Sequence, residues 1–234
     1  MFIQKRNPHI LKHTPHHFST EFTYDTDPIT LATQFDIIIE PQLNNAIPRR
    51  KIEFIAGRYC ASKAIQQTKS LTPKRVKINM DRSPQWPKGY VGSITHTQTF
   101  ASAAVASMYH LRSIGIDSEK ILERKDADQI AFLILSKEEM KRYKTQFSSY
   151  FLFEEFITLS LCAKESIYKC LNPIVHQFID FHDLDIVDFD FSNNFFWIRL
   201  QKDLGCKLKR AREIKGSFEC IDSMIHTAIE LMHD

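Results

Sequence analysis

The sequence predicts an α+β chain: one helix, a group of strands, a group of helices, then strands again. Three observations predict it. Strand-like runs bounded by turn residues occupy 91–97, 100–108 and 112–119. The apolar pattern then changes to helical spacing between 126 and 171, and returns to strand-like from 184 onward. Two similar α/β halves meeting near residue 115 are one way to assemble that order.

Taken along the chain, the first 45 residues read as irregular, broken by Pro8, Pro15, Pro28 and Pro41. Pro48 opens a helix to about Lys69, where a proline is tolerated because a first-turn N–H has no intrahelical partner. Ile52, Ile55, Ala56, Tyr59, Cys60 and Lys63 form its stripe, and Pro73 follows its end. Val76 and Ile78 alternate with lysine and asparagine. Val91 to Thr97 and Phe100 to Met108 read as two strands joined by a short turn. Arg112 to Glu119 reads as a third. Strand alternation sends Ile114, Ile116 and Ser118 one way and Gly115, Asp117 and Glu119 the other.

Asp126 to Leu133 and Ser136 to Tyr143 read as helices, the second opened by Ser136 with Glu139 three residues on, a capping-box pattern. Ser148 to Leu171 reads as a long helix ended by Asn172-Pro173. Leu184 to Phe191, Phe195 to Gln201 and two short strands from Ser217 complete the chain.

Composition narrows the class. Apolar residues at 43% and charged residues at 25% belong to a soluble globular chain large enough for a good core. A net charge of +3 suits an acidic partner or anionic ligand and is too weak to indicate nucleic acid. Cys60, Cys162, Cys170, Cys206 and Cys220 are odd in number and lack a C-x-x-C, so they read as reduced thiols of a cytoplasmic protein. No apolar run follows the amino-terminal charges as in a signal peptide, and none reaches the roughly 20 residues of a membrane span.

Polar islands carry the chemistry. Asp117 and Glu119 share one strand face, which fits either a solvated face or a site for a hard cation such as magnesium. Gly115 before them would let another backbone or a ligand approach closely. Glu165 and Lys169, four apart, share a helix face and fit a helix-stabilising ion pair. Lys164 points elsewhere on an otherwise apolar helix, and a charge there asks for a partner. His96 follows Ser93-Ile94-Thr95, but a Ser93–His96–Asp117 hydrolase triad lacks the G-x-S-x-G elbow. His9, His13, His16 and His17 have no acidic or thiol partners nearby and read as solvated. The run Lys207, Lys209, Arg210, Arg212, Lys215 reads as a solvated loop without interleaved aromatic platforms.

Five segments together resemble the phosphopantetheinyl transferases, in the surfactin-type branch and its enterobactin synthetase component D group. They are Arg50-Lys51-Ile52-Glu53-Phe54-Ile55-Ala56-Gly57-Arg58-Tyr59-Cys60-Ala61, Trp86 to His96, Gly115-Ile116-Asp117-Ser118-Glu119, Leu135-Ser136-Lys137-Glu138-Glu139, and Ala163-Lys164-Glu165-Ser166 with Lys169. The resemblance covers roughly residues 45 to 171. It implies two similar α/β halves (1–115 and 116–234) in a pseudo-two-fold arrangement with the active site between them. It implies magnesium-dependent transfer, with manganese an alternative, of the phosphopantetheine arm of coenzyme A to a serine of an acyl, peptidyl or aryl carrier protein. Adenosine 3′,5′-bisphosphate is the other product. It also implies a monomer, an acidic carrier as partner, and service to siderophore or other secondary-metabolite synthesis.

By position, Asp117, Glu119 and Glu165 match the family's metal ligands. Glu165 is also the candidate base for the serine proton, directly or through a metal-bound water, and both routes stay open. Lys169 matches a phosphate-contacting lysine. His96 and Ser93 match the motif at the nucleotide phosphates. Arg50 and Arg58 match basic positions on the 3′-phosphate or carrier side, and Arg82 aligns loosely with another. Leu161 stands where an aromatic is frequent, and Thr95 where serine is usual. A non-catalytic coenzyme A or nucleotide binder on the same fold would be expected to have lost these carboxylates, and all three are present.

Overall fold

The computed structural model describes residues 1–14, 16–68, 75–205 and 208–233. The chain divides into two compact units. Unit 1 comprises Met1–Asn7, Lys12–Ile114 and Leu231–Asp234; unit 2 comprises Pro8–Leu11 and Gly115–Glu230.

Unit 1 opens on β1 (Phe2–Lys5) and β2 (His16–Phe22), followed by α1 (Pro28–Gln34) and a 3₁₀ turn at Pro41–Leu43. The first 45 residues are therefore not irregular, and this corrects the expectation. Among the described residues, Pro8 falls outside the strands, and Pro28 and Pro41 take first-turn positions: Pro28 opens α1 behind the Asp27 cap, whose carboxylate accepts from Thr30 N at 2.9 Å. Paired histidines mask β2 as a strand, but Phe18 and Phe22 are buried core residues.

Next come α2 (Pro48–Gln67), two-residue strands β3 (Lys77–Ile78) and β4 (Pro84–Gln85), β5 (Tyr90–His96) and β6 (Phe100–Ser107). β1, β2, β6 and β5, in that order, form an antiparallel sheet. α2 packs on it, burying Ile52, Ile55, Ala56 and Cys60 against Phe18, Ala101, Ala103 and Val105. Gly57 lets the helix settle, because a Cβ there would lie 2.9 Å from Ile94 Cγ2. Lys69, the expected end of α2, and Pro15, Pro73, Cys206 and Lys207 lie outside the described residues.

β7 (Leu111–Lys120) passes from unit 1 into unit 2 between Ile114 and Gly115. α3 (Arg124–Ile134) and α4 (Lys137–Arg142) follow, and the Ser136–Glu139 capping box forms with reciprocal bonds of 3.2 and 2.8 Å. The long helix, α5 (Phe153–Val175), departs from expectation at both ends. Residues 143–147 form a π-type turn closed by Ser148 N on Tyr143 O at 2.8 Å, so helix starts only after Leu152. Tyr143, Phe147 and Phe151 pack on Phe156 and Phe189, which holds that turn. α5 also runs through Pro173, whose missing N–H falls in the last turn, and ends on His176 in the left-handed region at φ 49°.

A second sheet takes the order β7, β11 (Met224–Met232), β10 (Glu213–Ile221), β9 (Phe195–Leu200), β8 (Leu184–Asp190). The last two strands have nine residues each and are not short. β10 starts at Glu213, inside the expected basic loop. Lys215 there is a strand residue, its Nζ 3.4 Å from the Phe195 ring centroid.

Candidate active site

The site in unit 2 is built where α5 meets β7. A Cβ on Gly115 would overlap Ser166 O and lie 2.7 Å from Cys170 N, so only glycine admits the helix backbone this close. The contact brings Lys169 onto Asp117: Nζ donates to Oδ1 at 2.6 Å. Asp117 is buried, whereas the Lys169 side chain keeps 27% of its exposure. Lys169 thus reaches across to the strand carboxylate. Glu119 and Glu165 are half-buried.

These carboxylates feel one another. Burial first, then Asp117 and Glu165, push Glu119 up to about 7 against the pull of Lys169. Burial also raises Glu165, with Lys169 opposing and Asp117 adding. For Lys169 burial works to lower its value, but Asp117 and Glu165 overcome it and hold the ammonium above its ordinary range. Three carboxylates facing one lysine leave excess negative charge on a set of oxygen donors. That chemistry fits a hard divalent cation, which takes one or two carboxylates and completes its shell with waters and phosphate oxygens. Among the described residues, no three His, Cys, Asp or Glu side chains close into a ready-made cage.

Behind the site lies a polar seam. Thr227 on β11 is buried, with Oγ1 2.6 Å from Ser166 Oγ, and it donates to Cys162 O at 2.9 Å. Lys164 has the partner its setting demands. Its Nζ donates to Glu139 at 2.7 Å, Ile134 O at 2.7 Å and Phe181 O at 3.0 Å, with both charged side chains fully buried. Glu139 also accepts from Ile186 N at 2.8 Å.

A cationic group stands in unit 1. Arg50 Nη1 donates to His96 Nε2 at 2.7 Å and to Glu53 Oε2 at 3.3 Å. Glu53 Oε1 accepts from Arg49 Nε and from Tyr24 OH, each at 3.2 Å. Arg58 lies over the Phe54 ring at 4.6 Å and donates to Lys77 O at 3.2 Å. Burial pulls its guanidinium down to about 10; Glu40 opposes and Arg50 adds to the fall. Strand alternation puts Ser93 with Thr95, both buried, on the face of β5 opposite His96. Arg82 is exposed on the β3–β4 turn at φ 68°.

Glu53, Arg49, Tyr24 and Thr227 were not singled out by the sequence. The arginine spacings to Glu53 were readable as helical i,i+3 and i,i+4 pairs. Tyr24 and Thr227 carry no local signal, because their partners are distant in the chain.

Residues 39–106 match the family described as 4′-phosphopantetheinyl transferase N-terminal domain, and residues 113–218 match the 4′-phosphopantetheinyl transferase superfamily. The chain is similar to 4′-phosphopantetheinyl transferase Npt of Nocardia iowensis, 31% identical over 149 residues, covering 63% of each chain. It is 34% identical over 134 residues to enterobactin synthase component D of Salmonella typhimurium, covering 57% of this chain and 53% of that one. It is 30% identical over 148 residues to 4′-phosphopantetheinyl transferase PptT of Mycobacterium tuberculosis, covering 62% of each. The chain thus spans between 53% and 63% of these relatives' own length.

Proposed function

Because the chain belongs to the 4′-phosphopantetheinyl transferase superfamily, we propose that it transfers the 4′-phosphopantetheine arm of coenzyme A to a serine of a carrier protein. The observation that carries this reading is the Asp117–Lys169 contact at 2.6 Å, set among Glu119 and Glu165. In the reaction the serine oxygen bonds to the pantetheine-side phosphorus. The bond from that phosphorus to the bridging oxygen breaks, and adenosine 3′,5′-bisphosphate leaves with the electron pair.

Glu165 accepts the serine proton. Burial raises its carboxyl above the ordinary value, the direction that strengthens a base. Lys169 sets its positive charge beside the pyrophosphate, where negative charge builds on the leaving oxygen. Asp117, buried and bonded to Lys169, holds that ammonium in place. Asp117, Glu119 and Glu165 are the residues that would hold magnesium or manganese, and a bound divalent cation would supply charge neutralisation at the phosphates. Arg50, Arg58 and His96 are assigned to anionic phosphates of the nucleotide, with Ser93 supporting β5 from its buried face and Arg82 as a further basic contact.

The carrier is acidic, as a mildly basic enzyme favours. Similarity to enterobactin synthase component D points to a siderophore or other secondary-metabolite carrier. The buried cysteines Cys60, Cys162 and Cys170 stand as thiols rather than disulfides, which suits the reducing cytoplasm. Among the described residues no helix is long and apolar enough to cross a membrane. We assign a monomer as the working unit.

The test is intact-mass spectrometry of an apo carrier protein incubated with coenzyme A and magnesium, with and without chelator. The expected result is the gain of one phosphopantetheine arm, lost with chelator and lost in Asp117→Ala. No gain on peptidyl, aryl or acyl carriers from the folded protein would overturn the reading.

A further inference from the structure

We infer that Glu53 is a positioning residue, one that fixes Arg50 and His96 for a nucleotide phosphate before the phosphate arrives; this rests on the function proposed above and deepens it. Glu53 lies one helical turn beyond Arg49 and Arg50 on α2, so one carboxylate reaches both guanidinium groups. Its side chain is 14% exposed, while those of Arg49 and Arg50 are about half exposed. One oxygen takes Arg49 and Tyr24, and the other takes Arg50. Tyr24 is a dependable donor, because burial and then Glu53 raise its hydroxyl above the ordinary value.

The Arg50 nitrogen on Glu53 is also the one on His96. A guanidinium has no acceptor, so His96 Nε2 must offer a lone pair, and a neutral ring then carries its proton on Nδ1. That Nδ1 faces Glu53 Oε2 at 4.0 Å. Glu53 therefore ties Arg50 and His96 into a single arrangement through the Arg50 nitrogen they share, its own oxygen lying beyond hydrogen-bond reach of the ring. A long, half-exposed arginine held this way does not have to surrender its rotamer freedom when ligand binds.

Charge alone makes the opposite forecast. A carboxylate beside an anion site repels the anion, and its removal would tighten binding. Positioning requires removal to weaken it. The experiment is calorimetric titration of adenosine 3′,5′-bisphosphate into the full chain, its Glu53→Ala and Glu53→Gln variants, with imidazole nitrogen NMR on the ligand-free proteins. We expect Glu53→Ala to bind about tenfold more weakly. Glu53→Gln, which keeps an acceptor, recovers most of the loss. The His96 signals are expected as the Nδ1–H tautomer in the natural protein and as a mixture in Glu53→Ala. Equal or tighter binding by Glu53→Ala, or an unchanged His96 tautomer, would overturn the inference. Should Glu53→Ala melt early, the same two readouts on Glu53→Gln decide, with weaker binding than natural and a shifted tautomer population as the supporting result. If the natural protein failed to bind the bisphosphate, the proposed function would fall, and the His96 tautomer alone would decide the role of Glu53.

Discussion

Ser118 sits between Asp117 and Glu119 but faces the other side of β7, where its hydroxyl lies 2.8 Å from His226 Nδ1. His226 is buried on β11, and burial pulls its imidazole down to about 4, with Glu219 and Asp117 opposing. In the unfolded chain it titrates at the ordinary 6.5. Between these values the unfolded chain binds a proton that the fold refuses, so stability falls as pH drops from 6.5 toward 4. The full window is worth on the order of 3 kcal/mol. Above 6.5 both states are neutral here and the residue adds no pH dependence. Glu119 works in the other direction: raised to about 7, it gives stability that is present below 4.5 and lost as pH rises through 7. In the wild-type protein the two slopes partly cancel. His226→Gln removes only the first. Urea unfolding at pH 7 and pH 5, in chelator, is expected to show a smaller loss, or even a gain, on acidification in His226→Gln. Equal changes in the two proteins would mean that His226 is protonated as readily in the fold as outside it.

At the scale of elements, α5 carries two kinds of charge on different faces. Glu165 and Lys169 lie at the candidate site, while Lys164 is tied to the end of α3, to Glu139 of α4 and to Phe181 before β8. Removing one partner strands a buried charge, so Lys164→Met is expected to cost about 3–5 kcal/mol, and Lys164→Met with Glu139→Gln, which keeps an acceptor for Ile186 N and Ser136 N, distinctly less. Denaturant midpoints of the two variants check this; a double variant as weak as the single would show that the stranded Glu139 charge is not the main cost. Local pattern explains which elements were legible. α2, β5, β6, β7 and the α4 cap announce themselves by period, proline or capping box, and β7 displays its acidic pair by alternation alone. β2 and the start of α5 were not legible. The first is obscured by histidines whose burial is decided by tertiary packing, the second by a π-type turn packed on the Phe156–Phe189 cluster. The candidate site divides the same way: Asp117, Glu119, Glu165 and Lys169 stand in short patterned segments, whereas Tyr24 and Glu53 meet across 29 residues of chain.

For the whole molecule, the net charge of +3 is small, and the basic residues toward the carboxyl end are largely spent on neighbours. Lys209 holds Asp203 at 2.9 Å, Arg199 holds Glu213 at 2.7 Å, Lys202 pairs with Asp183, and Lys215 lies against Phe195 and Trp197. Among the described residues these four charges are paired or stacked, unlike a bare cationic stripe that tracks a phosphodiester backbone. A nucleic-acid binder neutralising several phosphates loses affinity steeply with salt, roughly one power of salt concentration for each contact. An acidic carrier steered by a weak overall field is affected differently: encounter slows modestly as the field is screened, and the chemical step does not. Under the proposed function, transfer is therefore expected to show a KM for carrier that rises only a few-fold, on the order of 3, between about 0.05 and 0.5 M salt, with kcat unchanged. Steady-state kinetics on one carrier across that range measure it. A steep, multi-power dependence would reassign the exposed lysines and arginines from background charge to a phosphate-tracking surface.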